Sequence, residues 1–397
     1  MPNLTELENA IPVGPLKLLV LPSMQSMGER INQYLVNFRK TVHNDKVKND
    51  PAFQGYIENN YMLDYSIPRF GSGEGKGQVN ESVRGKDIFI LVDVCNHSIT
   101  YNMNGFENHM SPDDHYQDLK RMIAACDGKA GRINVIMPFL YEGRQHRRSG
   151  RESLDAAYAL SELKSMGIDN FITFDAHDPR VQNSTPISGF DNFMAPYQFI
   201  KTLLNNEPDL LVDQDHMVVI SPDEGALDRA IYFANVLGVN TGMFYKRRDY
   251  TKIVGGKNPI VAHEFLGDDI DSKDVIIIDD MISSGGSMLD TARQLKEMNA
   301  RRVYLCTTFG LFTDGLAGFD NAYEKGYFDK VITTNLTYLP PEIYHKPYFL
   351  EVDMSKFIAS IIDFMNHDAS MSNVMDNTDK MHAFLDAYNR RAFIDIQ

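Results

Sequence analysis

Residues 275–287 read Val-Ile-Ile-Ile-Asp-Asp-Met-Ile-Ser-Ser-Gly-Gly-Ser, and this stretch decides the fold class. The unbroken apolar run Val275–Ile278 predicts a strand buried on both faces, as in a parallel sheet. Two adjacent carboxylates follow, and then a run of small residues leads into a helical pattern. Backbone N–H groups and hydroxyls of such a loop are suited to hold a phosphate at the N-terminus of a helix. The predicted phosphate loop consists of Ser283, Ser284, Gly285, Gly286 and Ser287.

The paired carboxylates Asp279 and Asp280 set this corner apart from a plain strand–loop–helix connection, which is the alternative interpretation. Asp is rarely buried without a partner, so two of them at the end of a buried strand favour a ligand site. Their oxygens suit ribose hydroxyls or a hydrated Mg²⁺. The Gly-Lys-Ser/Thr ending of a Walker loop is missing, which excludes that class of phosphate-binding loop.

Apolar runs of the same kind recur along the chain, each followed by a loop and a helical pattern. The helical pattern Ser153–Met166 begins at an N-cap residue and ends at Gly167, and the pattern Ser287–Asn299 has apolar residues along one side. Alternating strands and helices predict an α/β fold with mostly parallel sheets. The other predicted strands are Leu16–Leu21, Ile88–Val92, Ile133–Met137, Phe171–Phe174 and Met217–Ile220.

Polar residues follow two of these strands directly. Phe171–Phe174 leads into Asp-Ala-His177, and Met217–Ile220 leads into Ser-Pro-Asp223. Ligands of parallel sheets bind at the carboxyl ends of the strands, so His177 and Asp223 are candidate site residues. A lone His at such a position is more often a hydrogen-bonded structural residue, but its place straight after an apolar strand favours the functional interpretation.

The length and composition predict a globular protein of two domains. The chain has 397 residues, of which 43% are hydrophobic and 23% charged. We place the boundary in the polar, turn-prone segment Asn205–Pro208, and we interpret His97–His115 and His367–Asp379 as insertions. The predicted division is an N-terminal domain 1–205, a C-terminal domain 206–350 and a helical C-terminal extension 351–397.

The charge and the apolar runs exclude several functional classes. A formal net charge of −15 argues against general binding of nucleic acid, because phosphates would be repelled. No apolar run approaches the roughly 20 residues of a membrane span, and the N-terminus lacks the pattern of a signal peptide. Cys95, Cys126 and Cys306 are too far apart in sequence to suggest a metal site or a disulfide framework. We expect a cytoplasmic protein with neither nucleic acid nor membrane as a partner.

Several segments together resemble the ribose-phosphate diphosphokinase (phosphoribosyl pyrophosphate synthetase) family. The Asp-Asp-Met sequence and its small-residue loop are similar to the phosphoribosyl-binding motif of type I phosphoribosyltransferase folds. The other matching segments, in family order, are Arg69–Glu74, Glu81–Lys86, Tyr141–Gln145, Asp175–His177, Ser221–Asp223 and Lys246–Arg248. The resemblance implies two phosphoribosyltransferase-type (type I) domains, the first with ATP-binding elements and the second with the ribose 5-phosphate loop. It also implies Mg²⁺-dependent transfer of diphosphate from ATP to the anomeric hydroxyl of ribose 5-phosphate, with AMP as the second product.

The resemblance assigns a role to each candidate residue. Lys246 and Arg248 match the family's catalytic cations, which suits a reaction in which charge builds on the transferring group. The residues that match ATP-binding positions are Phe70, Glu74, Arg144, Gln145 and His177. His177 and Asp223 match residues near Mg²⁺, and the ribose 5-phosphate site comprises Asp279, Asp280 and the loop Ser283–Ser287. The family lends Phe70 and Glu74 to a neighbouring subunit, so the resemblance implies a homo-oligomer built from dimers, up to a hexamer.

The chain departs from the family pattern at four positions, where it carries Ser72, His146, Ser149 and Ser283. Two other functions therefore stay open. A phosphoribosyltransferase would share the Asp-Asp loop but would not need the Arg-Gln pair, His177 or the Lys-x-Arg sequence. A non-catalytic regulatory subunit would bind nucleotide without turnover, and loss of the Lys-x-Arg sequence, which this chain retains, would favour it.

Overall fold

The structure is a computed structural model that describes residues 7, 10–41, 50–148, 150–186, 189–248, 260–372 and 378–395, with the backbone alone along 246–248, 260–263, 378–379 and 391–395. The chain divides into two compact units. Unit 1 comprises Met1–Met194, Asn335–Tyr338 and Asp353–Asp376. Unit 2 comprises Ala195–Thr334, Leu339–Val352 and Asn377–Gln397.

Unit 1 is built on a parallel sheet. Its strands are β1 (Leu16–Val20), β2 (Tyr65–Ser66), β3 (Gln78–Val79), β4 (Asp87–Leu91), β5 (Thr100–Met103), β6 (Phe106–His109), β7 (Arg132–Ile136), β8 (Asn170–Phe174) and β9 (Gly189–Phe193). The five-stranded sheet has the order β1-β4-β7-β8-β9, and each neighbouring pair is parallel. The helices of this part of the chain are α1 (Gln25–Lys40), α2 (Pro112–Ala125) and α3 (Asp155–Ser165). The apolar runs form the core, where Ile88, Ile90 and Val135 are fully buried.

Two small antiparallel hairpins extend from unit 1. β2 pairs with β3, and a bridge between Arg69 and Gly75 continues this hairpin toward its end. β5 pairs with β6 inside the predicted insertion His97–His115. Its turn residues Asn104 and Gly105 have φ values of 52° and 84°, the left-handed conformation that a two-residue hairpin loop requires.

Unit 2 contains a larger, seven-stranded sheet in which the order of the strands reverses between β10 and β13. Its strands are β10 (Met217–Ser221), β11 (Asn240–Arg248), β12 (Ile260–Leu266), β13 (Asp274–Ile282), β14 (Arg302–Gly310), β15 (Lys330–Thr334) and β16 (Phe349–Val352). Its helices include α4 (Pro196–Asn206), α5 (Leu227–Leu237), α6 (Gly286–Glu297) and α7 (Ala317–Glu324). The order is β12-β11-β10-β13-β14-β15-β16, and only β11 and β12 pair antiparallel. From β10 the next strands, β11 and β12, are added on one side, whereas β13 and the strands after it are added on the other side. The topological switch point therefore lies between β10 and β13.

The two C-terminal helices, α8 (Ser355–Asn366) and α9 (Thr378–Asp395), belong to different units. α8 packs against α1, and the buried Arg39 donates hydrogen bonds to Asp363 (2.9 and 3.0 Å) and Asn366 (2.6 Å). α9 belongs to unit 2, where the Tyr388 hydroxyl donates to the carbonyl oxygen of Leu210 (3.0 Å). The segment 351–397 therefore does not form a unit of its own. Short 3₁₀ helices occur at Pro22–Met24, Pro51–Phe53, Pro179–Ser184, Glu224–Ala226 and Pro341–His345.

The first boundary between the units lies at Met194/Ala195, ahead of the predicted position at 205/206. The reason is α4, which buries Phe199, Ile200 and Leu203 and packs against β16 of unit 2. The polar turn at Asn205–Pro208 is thus an internal connection of unit 2. Among the helices of the described part of the chain, none combines the length and the apolarity that a membrane span requires.

Candidate active site

The switch point of unit 2 brings the predicted acidic residues to one edge of the sheet. Ile220 of β10 lies opposite Ile277 of β13 in parallel register. Asp223 follows Ile220 closely along the chain, and the Asp279–Asp280 pair follows Ile277 closely. The carboxyl edge at a switch point is the place where open α/β sheets bind ligands.

The paired carboxylates differ in their exposure to solvent. Asp280 is only 3% exposed, whereas the Asp279 side chain keeps partial access to solvent. The backbone N–H of Asp280 donates to Asp279 Oδ1 (2.8 Å). Burial, followed by the adjacent charge of Asp280, raises the pKa of Asp279 well above its ordinary value. Arg229 on α5, with Nη1 4.0 Å from Asp279 Oδ1, opposes part of this increase and was not found from the sequence.

The strand that carries this pair is longer than its apolar run. β13 continues beyond Ile278 to Ile282, because Asp279, Met281 and Ile282 still pair with residues of β14. The carboxylates thus lie within the sheet rather than in the loop. The structure confirms the strand–loop–helix order that the sequence predicted.

The predicted phosphate loop connects β13 to α6 through a left-handed residue. Gly285 is the N-cap of α6 with φ 86°, and a Cβ at this position would lie 2.4 Å from the Phe319 ring. Only glycine fits both the backbone and the space. Ser284, Gly286 and Ser287 are exposed around this turn. Gly285 supplies no side-chain oxygen to cap the first backbone N–H groups of α6, and a helix N-terminus of this kind is suited to bind an anion.

Asp223 follows β10 and caps a short 3₁₀ helix. Its Oδ1 accepts the backbone N–H of Gly225 (3.0 Å), and its carbonyl oxygen accepts the Ser221 hydroxyl (2.5 Å). Carboxylate oxygen is the donor type that Mg²⁺ prefers, so Asp223 fits the predicted ion, whereas the His177 imidazole is a less typical ligand. No group of three or more His, Cys, Asp or Glu side chains within the described ranges is arranged to hold a metal. Mg²⁺ commonly takes one or two carboxylates together with substrate phosphates, which is compatible with this arrangement.

In unit 1 the segment Arg144–Arg148, here called the arginine segment, lies beside the segment that follows β8. His146 Nε2 lies 3.2 Å from Asp178 Oδ2, and the His146 ring centroid lies 5.6 Å from that of His177. The two predicted ATP-binding residues ahead of His146, Arg144 and Gln145, are exposed. The structure thus brings the segment that carries Arg144 and Gln145 next to His177.

Asp178 is the centre of this contact and was missed by sequence reasoning. Hydrogen bonds from the Arg180 side chain (2.5–3.1 Å) are the largest cause that lowers the pKa of Asp178 to about 2, with a smaller contribution from His146. Its carboxylate is therefore ionised throughout the neutral range and ties the arginine segment to the segment after β8. The sequence contained a signal, since His146 is one of the four departures from the family pattern and an imidazole can pair with an acid.

Phe70 and Glu74 occupy the end of the β2–β3 hairpin. The Phe70 side chain is 55% exposed, and its backbone N–H donates to the carbonyl oxygen of Glu74 (2.8 Å). The Ser72 hydroxyl donates to Glu74 Oε2 (2.8 Å). An exposed aromatic ring and a carboxylate on one turn form a surface that suits a flat polar ligand such as a nucleobase.

The predicted catalytic cations lie at the end of β11. Lys246 pairs with His263 and Arg248 with Ile260 along the backbone, with a bulge between Arg247 and Arg248. The side chains of Lys246 and Arg248 lie outside the described residues. β11 neighbours β10, so its end belongs to the same edge of the sheet as Asp223.

Comparison with known proteins identifies both parts of the chain. The family model of the N-terminal domain of ribose phosphate pyrophosphokinase matches residues 16–167, and that of the phosphoribosyl transferase domain matches residues 195–337. A ribose-phosphate pyrophosphokinase of Vibrio parahaemolyticus is 30% identical over 78% of this chain and 90% of that protein. The chain belongs to the ribose-phosphate pyrophosphokinase family.

Other members of the ribose-phosphate pyrophosphokinase family give the same picture. The protein of Vibrio cholerae is 28% identical over 78% of this chain and 90% of its own length. The crystal structure of phosphoribosylpyrophosphate synthetase from Mycobacterium smegmatis has a TM-score of 0.70 at 23% identity, and the match covers 89% of this chain and 99% of that one. The predicted family, the fold with two phosphoribosyltransferase-type domains and the prediction of an enzyme of this family are confirmed.

Proposed function

We propose that the chain transfers diphosphate from ATP to the anomeric hydroxyl of ribose 5-phosphate and so forms 5-phosphoribosyl 1-diphosphate and AMP. The observation that carries this proposal is the Asp279–Asp280 pair at the switch point, followed directly by a loop that ends in a left-handed glycine and a helix N-terminus. Such a corner combines acceptors for sugar hydroxyls with donors for a phosphate. Membership in the ribose-phosphate pyrophosphokinase family supports this function.

In the proposed ribose 5-phosphate site, the loop binds the phosphate and the end of the strand binds the ribose hydroxyls. The 5-phosphate would accept hydrogen bonds from the backbone N–H groups around Gly286 and from the hydroxyls of Ser283, Ser284 and Ser287. Asp279 and Asp280 would accept hydrogen bonds from the ribose hydroxyls. Burial raises the pKa of Asp279, and a cation bound beside the pair would oppose this increase.

The proposed ATP site draws on unit 1. Arg144 is exposed at the turn after β7 and carries a planar fork that suits phosphate or a stacked adenine. Gln145 offers an amide beside it. Phe70 and Glu74, at the end of the β2–β3 hairpin, would contact the adenine of a neighbouring subunit. This arrangement would make the active protein a homo-oligomer.

Catalysis is proposed to be electrostatic. The anomeric oxygen bonds to the β-phosphorus and its proton is released to solvent, while the bond from the β-phosphorus to the α,β-bridging oxygen breaks and AMP leaves with that oxygen. Charge accumulates on the transferred group during this step. Lys246 and Arg248 would stabilise that charge, which is larger in the transition state than in bound ATP. A Mg²⁺ ion, for which Asp223 and His177 are the proposed contacts, would supply additional positive charge at the phosphates.

The net charge of −15 supports small anionic substrates held in local basic sites and speaks against nucleic acid as a partner. The described part of the chain contains no helix that could serve as a membrane span. We propose a cytoplasmic enzyme of nucleotide biosynthesis with neither nucleic acid nor membrane as a partner.

An assay of purified protein with ribose 5-phosphate, ATP and MgCl₂ tests the proposal. We expect AMP and 5-phosphoribosyl 1-diphosphate to appear in equal amounts, and we expect the Lys246→Ala protein to lose most of this activity. Consumption of 5-phosphoribosyl 1-diphosphate with a nucleobase would identify a phosphoribosyltransferase instead. Nucleotide binding without turnover, together with altered activity of an added synthetase, would identify a regulatory subunit.

A further inference from the structure

The predicted insertion forms a hairpin whose turn contacts the end of the β2–β3 hairpin. We call residues 69–75 the tip and the β5–β6 hairpin, residues 100–109, the brace. The backbone N–H of Asn104 donates to the carbonyl oxygen of Gly71 (2.8 Å). Asn104 is the first residue of the left-handed turn, so the turn type itself directs this N–H outward.

A second contact fills the space beside the backbone of the tip. Gly73 has φ 92°, and a Cβ built on it would lie 2.7 Å from Met103 Sδ. The thioether of Met103 therefore lies directly against the Gly73 backbone. Met adapts its shape to irregular gaps, which suits contact with a bare backbone.

A third contact holds the base of the tip. The Arg69 guanidinium lies 5.0 Å from the Tyr101 ring centroid and donates to Asp118 Oδ2 (2.8 Å). Asp118 is buried and Arg69 is partly buried, and Arg121 donates to the other oxygen of Asp118 (2.7 Å). A cation between an aromatic face and a buried carboxylate is well fixed.

The brace is itself anchored at its base. The Met110 N–H donates to the Ile99 carbonyl oxygen (2.8 Å), which joins the two ends of the hairpin. α2 begins directly afterwards with a capping box between Ser111 and Asp114. Asp114 Oδ1 also accepts the Tyr101 hydroxyl (3.3 Å), so the brace and α2 form one connected support.

We propose that the brace is a positioning element that holds the tip in the conformation that presents Phe70 and Glu74 to the adenine of the nucleotide. The inference rests on the proposed function, in which the tip contacts ATP. An ordered tip reduces the conformational entropy that nucleotide binding must remove, so the brace strengthens ATP binding without touching the reacting atoms. The residues that act are Tyr101, Met103 and the N–H of Asn104.

Two variants and a matched control test this inference. Met103→Ala removes the contact with Gly73 and leaves the hairpin turn in place. Excision of residues 100–109, with Ile99 and Met110 rejoined by Asn-Gly, removes the brace at a point where the chain ends already share a hydrogen bond. Glu107→Gln, at an exposed position of the same hairpin, is the control, since its amide oxygen still accepts from Thr100.

The measurements are KM for ATP, KM for ribose 5-phosphate and kcat, together with amide hydrogen exchange of residues 69–76. We expect KM for ATP to rise about tenfold in both variants, with kcat and the other KM within about twofold, and exchange of the tip to accelerate. The control is expected to match the wild type. If the excised protein fails to fold, Met103→Ala decides.

The two ways of failing give different results. Wild-type exchange of the tip in Met103→Ala, with an unchanged KM for ATP in an active enzyme, would overturn the positioning role. Absence of product from the wild type would overturn the proposed function, and hydrogen exchange would then still decide whether the brace orders the tip. Equal losses in kcat and in both KM terms would indicate general damage and would also overturn the inference.

Discussion

Asp93 illustrates how a single buried carboxylate makes the stability of unit 1 depend on pH. It follows β4, is 2% exposed, and accepts the N–H groups of Cys95 (2.8 Å) and Tyr338 (2.7 Å). Burial raises its pKa from 3.8 to about 7, although both hydrogen bonds favour the charged form. The folded state therefore binds more protons than the unfolded state between about pH 4 and about 7, and the stability contributed by Asp93 falls as pH rises through this range.

Asp93→Asn is expected to remove this pH dependence. An amide does not titrate, so the advantage of the wild type over the variant should shrink from pH 4 to pH 7, by at most about 1.4 kcal/mol per pH unit. Urea unfolding at several pH values measures it. Asp127→Asn is the control, because that side chain is 83% exposed. Parallel stability profiles for Asp93→Asn and the wild type would show that Asp93 does not titrate in this range.

Asp280→Asn is expected to weaken ribose 5-phosphate binding while the protein stays folded. The residue lies next to the phosphate loop, and the amide loses the charge that would accept ribose hydroxyls. We expect KM for ribose 5-phosphate to rise about tenfold or more, because a hydrogen bond to a charged group is worth about 1.5–3 kcal/mol. Asp290→Asn, on the exposed face of α6, is the control. Unfolding of the variant, or normal binding, would make the pair structural.

Lys246→Ala and Arg248→Ala are each expected to lower kcat far more than they raise KM. Both side chains are proposed to act on charge that exists mainly in the transition state, so the loss should be about 3 kcal/mol, or about a hundredfold in rate. Arg247→Ala supplies a matched control on the same strand. Steady-state kinetics with both substrates varied provide the measurement, and near-normal turnover would remove these cations from the mechanism.

At the scale of elements, the turn from β13 to α6 depends on one glycine. Gly285→Ala would force a side chain into a left-handed backbone and against the Phe319 ring, 2.4 Å from the new Cβ. We expect a loss on the order of 2–4 kcal/mol in free energy of unfolding. Gly286→Ala, where the nearest contact is Ser284 Oγ at 4.0 Å, should change stability by less than about 0.5 kcal/mol. Equal stability of the two variants in urea would contradict the argument.

The strands that position the site were predictable from the sequence because both of their faces are buried. The apolar run Ile133–Met137 became β7 (Arg132–Ile136), a shift of one residue. The run Val275–Ile278 gave only part of β13, since pairing with β14 rather than hydrophobicity extends that strand through Asp279 to Ile282. Local capping was also misjudged, because Ser153 bonds to the Asp155 side chain and α3 begins at Asp155 without a side-chain cap.

The contacts that orient the site residues were not predictable. Arg229 lies on α5 and contacts Asp279 because α5 packs on the sheet. The spacing of the two residues in the sequence gives no sign of this contact. The contact between Asp178 and His146 likewise joins two segments that are far apart in the sequence. The brace did leave a signal, since Asn104-Gly105 is the strongest short hairpin turn, but its contact with the tip depends on tertiary structure.

At the scale of the whole molecule, the placement of Phe70 and Glu74 on an exposed tip supports an ATP site shared between subunits. A Glu74→Ala protein and a Lys246→Ala protein should each have little activity. Mixing them under conditions of subunit exchange should restore part of the activity, because some sites would then combine an intact Glu74 from one subunit with an intact Lys246 from the other. Product formation by the mixture, compared with each protein alone, is the measurement. No recovery despite demonstrated exchange would place each site within one chain.

The path of the chain through its two units has a consequence for synthesis on the ribosome. Arg39, 1% exposed in the finished protein, pairs with Asp363, which lies 324 residues later along the chain. Domains generally fold in the order in which they are translated. Here α1 emerges early, yet α8, the helix that covers it, is translated only after the strands of unit 2. The first unit to leave the ribosome is thus completed only after the strands of the second have been translated, and a nascent chain that stops before Ser355 leaves α1 without its partner.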